Sequence, residues 1–141
     1  MRVLIDARPA LDPRRTGVGL YTQQIVRHLP HTDPGTEYTA WYLRSPRHPR
    51  ARSHFETAHA PNLHEHASFF PAPLFGPLTV RTGLPRLEWT VDFDVMLATN
   101  FLPPSTASDD VVLVVHDLAY EHLPETAPHV NERWRRLFDR W

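Results

Sequence analysis

The sequence predicts an α/β layered domain built on a mostly parallel sheet with flanking helices. Three observations carry this expectation. Apolar runs recur at 2–6, 94–98 and 111–115, helical or breaker-rich segments separate them, and each run is continuous instead of alternating. A continuous run marks a strand covered on both faces, as strands of a parallel sheet are.

"RVLID" (2–6) holds β-branched residues in a short apolar run and reads as the first buried strand. A polar loop with Pro9 and Pro13 leads to Gly17 and Gly19. From Val18 onward, Leu20, Tyr21, Ile25, Val26 and Leu29 keep helical spacing, and Pro30 is expected to close that helix. "EYTAWYLR" (37–44) is aromatic-rich and predicts a second strand, whereas 45–62, with three prolines and many charges, predicts an exposed loop. "HEHASFF" (64–70) fits a short strand and "PAPLFGPL" (71–78) a breaker-rich loop, with a modest helix expected from about 79 to Trp89. "DVMLA" (94–98) and "VVLVV" (111–115) are the fourth and fifth strands. "VNERWRRLFDRW" (130–141) has helical pattern, with Trp134, Leu137, Phe138 and Trp141 on one side.

Length and charge narrow the function classes. A chain of 141 residues suits one domain with a respectable core. A formal net charge of −1 supplies no field to draw nucleic acid or an anionic membrane. All fifteen basic residues are arginine, so a P-loop, which needs a lysine on the phosphates, is excluded. Without cysteine there are neither disulfides nor thiolate metal sites. The first apolar run is interrupted by Asp6 and is far too short for a signal sequence, which makes a cytoplasmic location the expectation.

In an open parallel sheet the carboxyl ends of the strands share one edge, and ligands bind in the crevice there. That rule groups residues distant in sequence: Asp6, Arg8, Gly17 and Gly19 after the first strand, Asn100 after the fourth, His116 and Asp117 after the fifth. Backbone amides at a helix start, an amide side chain, an imidazole and a carboxylate suit an oxygen-rich ligand such as a sugar or phosphate. Other readings stand beside this one. The two glycines can serve only a tight turn and close packing, Asp6 and Arg8 can pair with each other or cap the loop, and Asn100 and Asp117 can be turn formers. A histidine directly after an apolar strand is a poor filler, which favours function for His116. His64 and His66 would share a face of a strand, yet with His48, His54 and His59 they read as a solvated polar stretch instead of a metal site. A dinucleotide fingerprint is disfavoured, because Thr22 stands at its third glycine and no acidic residue closes "EYTAWYL" to hold a ribose.

Taken together, "MRVLIDARPALDPRRTGVGLYTQQIVRHL", "LATNFLPP" and "VVHDLAYEHLPE" resemble the N-terminal domain of glycosyltransferase family 4. The resemblance covers most of the chain and is densest at 1–30 and 94–125. It implies a Rossmann-like domain forming the acceptor-side half of a GT-B fold, from a retaining enzyme that transfers a hexose from a nucleotide sugar. It further implies that Gly17 and Gly19 face the donor phosphates and that His116 touches the donor sugar as the catalytic-site histidine; Asn100 and Asp117, grouped with them at the sheet edge, are expected to bind the donor or its phosphates as well. The partners implied are a nucleotide sugar, as substrate and not cofactor, and a glycosyl acceptor. No catalytic metal is expected, no nucleic acid and no integral membrane segment, while peripheral membrane contact stays open. The family's nucleotide-binding domain has no counterpart in 1–141, so the chain reads as truncated; alone it is expected to be association-prone and inactive. The alternative is a non-catalytic sugar- or nucleotide-binding module, or an inert remnant.

Overall fold

The computed structural model describes residues 1–12, 16–44, 60–100 and 102–117. Within them five strands form one all-parallel sheet: β1 (Arg2–Asp6), β2 (Glu37–Leu43), β3 (Leu63–Ser68), β4 (Val95–Ala98) and β5 (Val111–Leu113), in the order β3-β2-β1-β4-β5. Helix α1 (Gly17–Thr32) joins β1 to β2, and helix α2 (Ala72–Thr82) follows β3. The α/β, Rossmann-like expectation is met.

Side-chain alternation sorts the core into two layers. In β1 and β2 the register sets Val3 beside Tyr38 and Ile5 beside Ala40, and these pack on one face with Ala7, Tyr42 and Val26 of α1. Leu4, Trp41, Met96 and Ala98 point to the opposite face, where Phe75 of α2 and Leu87 cover them. Each layer removes apolar area from water on its own side, so the central strands are buried twice. Asn62 ties the layers to the loops, since its buried amide nitrogen donates to the carbonyls of Pro30, Asp33 and Thr36. Those carbonyls lie at and beyond the end of α1, where a helix has no acceptors' partners of its own.

Four expectations are corrected. Pro30 does not close α1, which runs to Thr32; the ring removes only its own amide, and the Asp33 amide still reaches the Leu29 carbonyl at 3.4 Å. Leu20 and Tyr21 keep helical spacing but are 58% and 36% exposed, so the buried stripe of α1 runs instead through Gly19, Thr22 and Val26. The second helix occupies 72–82 and not 79–89. Pro73 falls in its first turn, where no intrahelical amide bond is lost, and Gly83, at φ 70°, ends it in the left-handed conformation. Leu87–Trp89 form a separate 3₁₀ turn. Finally, β5 spans 111–113 and is an edge strand among the described residues, with Val112 54% and Val115 43% exposed, not covered on both faces. The 130–141 helix and nearly all of the 45–62 loop lie outside the described residues.

Two carboxylates hold the loops that frame β4. Asp94 accepts from the Arg2 amide at 2.7 Å and from its guanidinium at 2.7 and 3.2 Å, which lowers the Asp94 pKa. Glu88 loses hydration by partial burial, which alone would raise its pKa, but bonds from the Thr106 hydroxyl and the Ala107 and Ser108 amides outweigh this and lower it. Both groups therefore stabilise the fold fully above the ordinary carboxylate range of about 4, and this contribution disappears as pH falls through their lower folded values. Urea midpoints measured from about pH 6 to about pH 3 are expected to decline, with a shallower decline in a Glu88→Gln, Asp94→Asn protein. An identical pH dependence in that variant would contradict the assignment.

Candidate active site

The strand order reverses between β1 and β4, and a sheet of this kind opens its crevice at the carboxyl ends on either side of that point. Asp6 ends β1 there, and Thr99 and Asn100 follow β4. Thr99 is fully buried and joins the three strand ends. Its hydroxyl donates to the Asp6 carbonyl at 2.6 Å, and its own carbonyl lies 2.9 Å from Nε2 of His116. A carbonyl only accepts, so Nε2 carries the proton in that bond.

His116 also meets α1. Its ring stands edge-on to Tyr21, with centroids 5.0 Å apart and planes at 84°, a favoured aromatic geometry. The imidazole is thus held between the end of β4 and the first turns of α1. Gly17 and Gly19 open that helix, and Thr16 caps it by accepting from the Gly19 amide at 3.2 Å. The two glycines differ. A Cβ at Gly19 would lie 2.8 Å from the Pro9 carbonyl oxygen, so glycine lets the helix rest on the 3₁₀ turn Arg8–Leu11. Around Gly17 there is open space. The amides of Gly17 and Val18 belong to the first turn, which supplies no intrahelical acceptor, and they have none among the described residues. They are the amides a ligand can use. Thr22, in the place of a third glycine, is fully buried and donates its hydroxyl to the Val18 carbonyl at 2.9 Å.

Asp6 and Arg8 pair with each other, one of the two readings open from sequence. The guanidinium grips the carboxylate side-on, Nε to Oδ1 at 2.8 Å and Nη2 to Oδ2 at 2.7 Å, and Nη2 also donates to the Leu102 carbonyl at 2.6 Å. Its plane lies near the rings of Trp41 and Phe75, 5.3 Å from each centroid. Asn100 is half-buried just past β4, and Asp117 is exposed one residue after His116. His64 lies on β3 and sits 2.9 Å from Glu37 of β2. Among the described residues no group of three or more metal-ligating side chains comes together, and no helix is long and apolar enough to cross a membrane. His48, His54 and His59 lie outside the described residues.

Three participants escaped the sequence reading: Tyr21, Thr99 and the aromatic pair around Arg8. Tyr21 fits the spacing of the helix's apolar stripe, so nothing local marks it as a neighbour of a residue 95 positions away. Thr99 directly after an apolar strand was the available signal, as His116 after the apolar run 111–115 was for the histidine. Comparison with family models, curated proteins and solved structures gives no match to this chain.

Proposed function

We propose that this chain is the acceptor-side, N-terminal part of a retaining glycosyltransferase that moves a hexose from a nucleotide sugar to an acceptor. One observation supports the reading above all others: His116 is clamped between the Thr99 carbonyl and Tyr21 beside a helix start with uncommitted amides. Such a start favours a phosphate, through its amides and the positive end of the helix dipole. An imidazole held next to it is suited to orienting a sugar hydroxyl by hydrogen bonding. Departure of a nucleoside diphosphate builds negative charge on the leaving phosphate, and fixed amides stabilise charge that develops there in the transition state. In this reading Gly17 and Gly19 serve the phosphates, Gly19 by letting the helix start approach, Asn100 and Asp117 bind the donor or its phosphates beside them, and the setting is cytoplasmic.

The reading requires a second α/β domain to complete the cleft and hold the nucleotide. The DNA after codon 141 is the first check, since an in-frame continuation encoding such a domain is expected. In the protein that carries both domains, His116→Ala is expected to lower kcat about 100-fold, the scale of losing one polar contact to the reacting group. Wild-type turnover in that variant would remove His116 from the chemistry. Absence of the second domain would favour a non-catalytic binding module.

A further inference from the structure

The face of the sheet opposite α1 holds a second recess. A cleft of about 490 Å³ opens between α2, the Gly83–Arg86 turn and the 102–106 segment. Arg8, Arg81 and Arg86 line it, and among the described residues no aspartate or glutamate does. We propose that this cleft binds a small oxyanion, a phosphate or carboxylate, carrying an apolar body that enters the aromatic pocket next to it.

The arginines are available in different ways. Arg8 is held rigidly by Asp6, the Leu102 carbonyl and the two flanking rings, which commits Nε and Nη2. Its Nη1 has no acceptor among the described residues. A guanidinium already fixed in place loses little freedom on binding, and its remaining N–H groups are charge-assisted donors. Arg81 and Arg86 make neither an ion pair nor a side-chain hydrogen bond with any described residue. The acidic side chain closest to them in sequence, Glu88, is taken up by Thr106 and the Ala107 and Ser108 amides. With Asp6 balancing Arg8, two positive charges at the cleft have no neutralising partner among the described residues. Ser105 also lines the cleft, and its hydroxyl makes no hydrogen bond to another described residue, so it offers a further donor beside the arginines.

The apolar part of the proposal comes from the adjoining pocket. It measures about 430 Å³, shares Phe75 and Arg86 with the cleft, and is lined by Trp41, Phe69 and Phe70. A ring or short chain lying there would place its anionic end at Arg86 and Ser105. This site is independent of the transferase reading, because it uses none of the residues at the start of α1 or at His116.

The test uses the chain with phenyl phosphate as probe, beside benzoate, inorganic phosphate and phenol, followed by calorimetry and amide chemical-shift mapping. Phenyl phosphate or benzoate is expected to bind saturably and at least about tenfold tighter than inorganic phosphate or phenol, and the tighter of the two identifies the oxyanion. Shifts are expected at Arg81, Arg86 and Ser105. The Arg81→Gln, Arg86→Gln protein, changed only at exposed side chains, is expected to lose at least about tenfold in affinity, while Arg27→Gln on α1 loses none. Equal binding of inorganic phosphate and phenyl phosphate would mean an adventitious ion only. No saturable binding, or affinity unchanged in the double variant, would overturn the site. Shifts confined to Gly17 and His116 would overturn it too, while leaving the transferase reading standing.

Discussion

Trp41→Ala is expected to destabilise the protein by about 3–5 kcal/mol, seen as a lower urea midpoint. Trp41 is 1% exposed in a central strand. Its ring lies 5.5 Å from Phe75 and beneath the Arg8 guanidinium, so truncation opens a cavity under α2 and removes one wall of the Arg8 clamp. The indole Nε1 is buried without an acceptor among the described residues, an inherent cost of having tryptophan there. Trp41→Phe removes that unpaired donor and keeps much of the volume, so a loss of only about 1 kcal/mol is expected. Equal losses in the two variants would show that packing around Trp41 is not what holds α2 to the sheet. A loss below about 1 kcal/mol for alanine would have the same meaning.

The second large effect is expected at Asp6. Its side chain is 1% exposed and accepts from the Arg8 amide as well as the guanidinium, so Asp6→Ala leaves a cation and a backbone donor unmatched at the sheet edge. Removing one partner of a buried pair costs about 3–5 kcal/mol. The low end, about 3 kcal/mol, is expected because Arg8 is 23% exposed and keeps its bond to the Leu102 carbonyl. Asp6→Ala combined with Arg8→Ala is expected to be less destabilising than the sum of the single changes, since no unpaired charge remains. Strict additivity, measured by urea unfolding of all four proteins, would show that the two side chains act independently.

The strands were legible because their signal is local. Continuous apolar runs at 2–6 and 94–98 can only be covered from both sides, and the parallel sheet follows from that requirement. The rule that strand ends share an edge was enough to place Asp6, Asn100 and His116 together without any coordinates. The Asp6–Arg8 pair was within reach for the same reason, since a single residue separates the partners and both leave one strand end.

What failed was set by contacts beyond the local window. A segment with Pro71, Pro73, Gly76 and Pro77 reads as a loop, yet it is helical: Pro71 and Pro73 cost little at the N-cap and in the first turn, and Phe75, buried against Trp41 and Leu87, offsets the amide bond lost at Pro77 inside the helix. Strand 111–113 has the pattern of a covered strand but takes an edge position among the described residues, which no count of its own apolar residues reveals. The sequence by itself therefore determined the layered fold, the strand ends and the grouping of polar residues at one edge, since each depends on short-range periodicity and chain direction. Only the tertiary structure decided that Gly19 serves close packing on Pro9, that Tyr21 braces His116, and that Arg8, Arg81 and Arg86 line one cleft. Those facts depend on which side chains meet across tens of residues, and no spacing along the chain encodes that.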